Sequence, residues 1–167
     1  LIQSNIPYLL VDVDQYGNAK HDHIEKILNA NPEVQGLILT DYGSNTVNTN
    51  QLRKLVGNRK IFIDSACSFG TTLQSNDEAD YRVWSFDPMK LITTGDGGLI
   101  YCRNENDATQ ISSYLYLGLP TNSQSGIDKS SHSNREWWSY ELVSPGKRAI
   151  MNDISASIGL VQLDKLP

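Results

Sequence analysis

The chain has 167 residues, 39% of them hydrophobic and 20% charged, with a formal net charge of −5. That length supports one domain with a sizeable core rather than two, and the 14 scattered Lys and Arg argue against the basic stripe of a nucleic-acid or membrane-surface binder. Two cysteines without CxxC spacing make neither a disulfide framework nor a zinc site, no apolar run approaches the ~20 residues of a membrane span, and no leader pattern is present, which together read as cytoplasmic.

In chain order, "YLLVDVD" (8–14) predicts a strand, and "HDHIEKILN" (21–29) a helix with Ile24, Ile27 and Leu28 on one face. "VQGLILT" (34–40) predicts a buried strand, and "NTNQLRKLVG" (48–57) a helix closed by Gly57. "KIFIDSA" (60–66), "YRVWSF" (81–86) and "GGLIYCR" (97–103) predict three more strands. A helix is expected over 106–119, with Ile111, Leu115 and Leu119 on one face, followed by a Ser-, Asn- and Gly-rich loop over 120–136. The segment 137–150 reads as irregular with a Pro-Gly turn, and 152–166 as an amphipathic helix capped by Asn152 or Asp153. Strands alternating with helices at this spacing indicate an α/β fold with a mainly parallel sheet flanked by helices. In such sheets ligands sit beyond the carboxyl ends of the strands, where Asp64 and Ser85 fall.

One lysine, Lys90, stands between two strand-like runs and is followed at once by a glycine-rich turn in "SFDPMKLITTGDGG" (85–98). Taken singly, each feature has a plain reading: Lys90 as a surface residue, Asp64 as a turn or cap, the glycines as a turn. Together, "IDSACSFG" (63–70), "SFDPMK" (85–90) and "TTGDGG" (93–98) resemble the central block of the DegT/DnrJ/EryC1/StrS family of pyridoxal-phosphate-dependent sugar aminotransferases. "SPGKRAIMNDISASIGLVQLDKL" (144–166) resembles a second block of that family, in the expected order. The resemblance implies the large cofactor-binding domain of fold type I. Residues 1–167 would be a single partial domain with three layers, and the family's N-terminal portion and C-terminal small domain would lie outside them.

The family pattern implies a role for each matched position. Lys90 would bond the aldehyde of pyridoxal 5'-phosphate and then shuttle a proton, while Asp64 would hold the pyridinium nitrogen protonated. Ser85 would donate to the cofactor phosphate. Cys67 stands where the family commonly has Gln or His near the ring hydroxyl, and a thiol is a weaker donor. Arg148 takes the place of an Asn that reaches the phosphate of the neighbouring subunit's cofactor, and arginine is suited to that by charge. The implied reaction moves an amino group from an amino acid, glutamate by resemblance, to a keto sugar nucleotide in cell-surface polysaccharide or amino-sugar synthesis, in a homodimer.

Two other readings stand beside this one. Dehydratases of the same family carry histidine in place of the lysine, and Lys90 speaks against them. A non-catalytic binding or regulatory paralogue, or an inactive fragment, would be set apart by whether it takes cofactor at all. Elsewhere, "HDH" (21–23) lacks a third ligand nearby and reads as a solvated helix start rather than a metal site. His132 reads as solvated, and Trp137 and Trp138 as packing or interface residues. No Gly-x-Ser-x-Gly elbow or G-x-G-x-x-G turn supports a hydrolase or dinucleotide site.

Overall fold

A computed structural model describes residues 1–71, 77–120 and 142–166. His132, Trp137, Trp138 and most of the expected loop lie outside them. The described elements are α1 (His21–Ala30), β1 (Gly36–Thr40), α2 (Thr49–Val56), β2 (Lys60–Asp64), β3 (Tyr81–Ser85), β4 (Gly98–Cys102), α3 (Glu105–Leu115) and α4 (Asp153–Leu163). The sheet runs β1-β2-β3-β4, parallel from β1 to β3, with β4 antiparallel on β3. It is a mixed sheet flanked by helices, as the alternation of elements predicts.

Local chemistry sets the helix ends. Asn48 caps α2 by accepting the Gln51 N–H at 3.0 Å, and Gly57, at φ +61°, ends it in the left-handed region. Asn31 closes α1, its backbone N–H returning to the Ile27 carbonyl at 2.9 Å. Ile24 and Leu28, one turn apart, bury the inner face of α1. They join Leu37 and Leu39 of β1, Leu52 and Val56 of α2, and Ile61 and Ile63 of β2 in one core.

The sheet register gives each strand two distinct faces. Leu39, Ile63 and Arg82 line up across three strands on the face covered by the core helices. Thr40, Asp64 and Val83 align on the opposite face. Ser85, two residues beyond Val83, shares that face because side chains alternate along a strand.

Three expectations are corrected. Residues 8–14 form no strand: a single bridge joins Val13 to Ala19, around a turn in which Asp14 Oδ1 accepts the Tyr16 and Asn18 N–H groups. Among the described residues no strand lies beside it to satisfy its backbone, and an apolar run alone does not make one. The helix expected over 106–119 stops at Leu115, because Leu117 and Gly118 adopt φ of +62° and +79°. Helix α4 is not amphipathic here: Ile154, Ile158, Leu160, Val161 and Leu163 are all exposed, and Gly159 is its buried residue.

Candidate active site

β2 ends at Asp64 and β3 at Ser85, so two of the expected site residues stand at carboxyl ends of neighbouring parallel strands and on one face. Val83 pairs with Asp64, which sets Ser85 roughly 7 Å further along by the rise of a strand. Asp64 is exposed, and its Oδ1 accepts the Ala66 N–H at 3.0 Å, which turns the chain sharply after β2. The Ser68 N–H closes that turn on the Ser65 carbonyl at 2.9 Å.

The segment after β3 is folded back on itself. Asp87 N–H donates to Ser85 Oγ at 3.3 Å, and Lys90 N–H to the Asp87 carbonyl at 3.0 Å. Thr93 Oγ1 and the Thr94 N–H both donate to the Phe86 carbonyl, each at 3.0 Å. Phe86 N–H in turn donates to the Gly97 carbonyl at 3.0 Å. Gly98 then enters β4 so close to β3 that a β-carbon there would sit 2.3 Å from the Trp84 carbonyl oxygen. The glycine-rich turn is therefore the device that brings the chain back past Lys90.

The two loops meet at the lysine. Half-buried Lys90 reaches back so that its Nζ donates to Cys67 Sγ at 3.2 Å. Phe69 packs edge-on against Phe86, with ring centroids 5.2 Å apart, which holds the Asp64 turn against the lysine loop. Lys90, Cys67, Asp64 and Ser85 are thus gathered at one edge of the sheet. Arg148 is exposed and pairs by a backbone bridge with Tyr116, beyond the end of α3. Its neighbour Met151 does approach the glycine turn, since a β-carbon on Gly97 would lie 3.1 Å from Met151 Cε.

"HDH" opens α1, as expected, and His23 Nδ1 accepts the Asp12 N–H at 2.8 Å. Among the described residues no helix is long and apolar enough to cross a membrane.

Sequence reasoning missed a buried polar cluster directly beneath the Asp64 turn. Asp41, Ser65, Ser68 and Arg82 are each 2% exposed or less. The signal was there in "YRVWSF": strand alternation puts Arg82 on the same face as Trp84, toward the core.

A model of the DegT/DnrJ/EryC1/StrS aminotransferase family matches residues 1–167. The chain belongs to this family. Among curated relatives, it is 33% identical over 141 residues to dTDP-4-dehydro-2,3,6-trideoxy-D-glucose 4-aminotransferase of Saccharopolyspora spinosa, a match covering 81% of this chain and 36% of that protein. Among solved structures it is similar to Helicobacter pylori PseC, an aminotransferase involved in the biosynthesis of pseudoaminic acid. That match has a TM-score of 0.82 and 22% identity, over 99% of this chain and 42% of that one. The PLP form of a putative sugar aminotransferase from Streptococcus pneumoniae matches with a TM-score of 0.74 and 22% identity, over 95% of this chain and 43% of that one. The chain therefore spans well under half the length of these DegT/DnrJ/EryC1/StrS relatives, and the fold type I architecture extends to it.

The residues present fit pyridoxal phosphate. An exposed carboxylate, an amine whose near partner is a soft sulfur, and a hydroxyl at the adjoining strand end lie on one edge. Ser85 Oγ accepts a backbone N–H and so keeps its own O–H to donate.

Proposed function

We propose that this DegT/DnrJ/EryC1/StrS member is a pyridoxal-phosphate-dependent aminotransferase acting on a keto sugar nucleotide, with an amino acid, glutamate in the favoured reading, as donor. Residues 1–167 would form part of its cofactor-binding domain, in a cytoplasmic homodimer that serves cell-surface polysaccharide or amino-sugar synthesis. The observation that carries this reading is the meeting of Lys90 with the turn that bears Asp64 and Cys67.

When bound, the cofactor supplies an electron-withdrawing ring that takes up the electron pair released at the substrate carbon. The chain's own residues do the rest. Asp64 would hold the cofactor by its ring nitrogen and keep a proton there. Lys90 would hold the aldehyde end of the cofactor through its amine and, as the general acid–base of the site, would carry a proton to and from the substrate carbon. Ser85 would hydrogen-bond the phosphate, and Cys67 would flank the ring hydroxyl while keeping the lysine close. Arg148, on an exposed segment, is free to reach the phosphate held by a second copy. A lysine, rather than a histidine, at position 90 favours amino transfer over sugar dehydration.

The test is cofactor titration of the complete protein, borohydride reduction and peptide mapping, with Lys90→Ala as control. A single adduct at Lys90, absent from the variant, is the expected result. A folded protein that takes no cofactor, or labels only scattered surface lysines, refutes the reading in favour of a non-catalytic paralogue.

A further inference from the structure

The buried cluster under the Asp64 turn is unusually well connected. Arg82 Nη1 donates to Asp41 Oδ2 and, at 2.7 Å, to Ser65 Oγ, while Ser65 Oγ donates to Asp41 Oδ2 at 2.6 Å. The result is a closed triangle of ion, counter-ion and hydroxyl. Ser68 Oγ lies 3.3 Å from the same Asp41 oxygen and 3.2 Å from the Ser65 carbonyl. The other Asp41 oxygen accepts the Val47 N–H at 2.8 Å. On its far side Arg82 donates to both oxygens of Asp77, at 3.0 and 3.1 Å. Thr49 Oγ1 steadies Asp77 in turn, at 2.6 Å.

These bonds converge on the turn that carries the chemistry. Ser65 follows Asp64 directly, and Ser68 follows Cys67 directly. The Asp41 N–H also donates to the Asp64 carbonyl at 2.9 Å, and the Ser65 N–H to the Val83 carbonyl at 2.8 Å. Apolar side chains would fill the same space without the cost of desolvating an ion pair. What they would lack is direction: hydrogen bonds fix where a turn points, and dispersion contacts do not.

We infer that the buried Asp41–Arg82 pair orients the Asp64–Ser68 turn for cofactor binding, making Asp41, Ser65 and Arg82 positioning residues of the site. This rests on the reading of the site given under Proposed function. Through Ser65 the pair sets the Asp64 carboxylate, and through Ser68 it sets Cys67 opposite Lys90.

The experiment compares the complete wild-type protein with Asp41→Asn/Asp77→Asn/Arg82→Met, which removes the guanidinium and both of its carboxylate partners together and so leaves no lone buried ion. Ser65→Ala, which deletes one hydroxyl and keeps the pair, is the milder second variant. Three quantities are read: pyridoxal phosphate affinity by fluorescence titration, the pH midpoint of the bound cofactor's visible absorbance, and amide exchange over 64–68 in the cofactor-free protein. The expected result is a dissociation constant raised about tenfold or more in both variants. It should come with a displaced midpoint and faster exchange confined to the turn. A folded variant with lower thermal stability but unchanged affinity and midpoint would mean that the cluster only stabilises the core, and would overturn the inference alone. If the triple variant fails to fold, Ser65→Ala decides by the same readouts. A wild-type protein with no cofactor band would overturn both this inference and the reading it rests on.

Discussion

Lys90 Nζ donates to Cys67 Sγ across 3.2 Å, joining the loop after β3 to the turn after β2. Both cysteines are free, but their settings differ: Cys67 is exposed, while burial, followed by the Asp107 charge, pushes the Cys102 thiol up. Since the thiolate is the form that reacts, iodoacetamide should alkylate Cys67 well ahead of Cys102. Cofactor occupying the edge beside Lys90 should slow the Cys67 reaction about tenfold or more, by blocking access. Peptide mapping of the labelled protein checks this, and equal rates at Cys67 with and without pyridoxal phosphate would contradict the placement of the site.

Leu52 is fully buried between α2 and the sheet. Leu52→Ala should cost about 2–5 kcal/mol, from lost transfer energy and the cavity left behind. Urea denaturation of the two proteins measures it. A loss below about 1 kcal/mol would show that the α2 interface is not the core described here.

Gly98→Ala tests the close approach of β4 to β3. The added methyl would meet the Trp84 carbonyl oxygen at 2.3 Å, so backbone must move and the Gly98–Ser85 pairing must loosen. A destabilisation on the order of 2 kcal/mol or more is expected, together with weaker cofactor binding through the displaced Ser85. An unchanged denaturation midpoint would show that the turn has room to spare.

Stability should fall at both ends of the pH scale, for different reasons. The Tyr81 hydroxyl donates to Asp107, and that bond, aided by burial, pushes the phenol up to about 12 from its ordinary 10.0. Because the folded state favours the protonated phenol, its contribution is complete below about pH 10 and is lost as pH rises towards about 12. In Tyr81→Phe this alkaline loss should flatten, and parallel decline of the two proteins over that window would exclude the assignment. For Asp80, burial works to raise the carboxyl, but the Ile61 N–H and the Arg53 guanidinium outweigh it and hold the group below its ordinary 3.8. Its contribution is therefore complete above about pH 4 and is lost as pH falls further, where Asp80→Asn should be less acid-sensitive than wild type.

The strands that carry the candidate site were legible because their polar residues end apolar runs: Asp64 closes "KIFID" and Ser85 closes "YRVWS". Lys90 was legible through its flanking motifs, and its partner Cys67 through the family position. The buried cluster was not. Asp41 comes one residue after β1, and only a three-dimensional neighbour such as Arg82, 41 residues away, turns it into a buried ion pair. The run at 8–14 misled in the opposite way, since its apolar residues look like a strand but among the described residues make only the Val13–Ala19 bridge. Helix α4 has apolar residues at most positions, so periodicity alone assigned it a buried face that the fold does not show.

The alternation along β2 and β3 divides labour by parity. Ile61, Ile63, Arg82 and Trp84 point one way, and Phe62, Asp64, Val83 and Ser85 the other. The first set packs the core, with Arg82 also lying under the Asp64 turn, and the second carries the proposed site residues Asp64 and Ser85 beside the outward Phe62 and Val83, on strands only five residues long. Substitutions that retune substrate or cofactor contacts can then accumulate on alternate positions with little effect on how much folded protein a cell retains. A saturation scan scored separately for abundance and for turnover would show turnover lost without abundance at Asp64 and Ser85, and both lost at Arg82, on the same two strands.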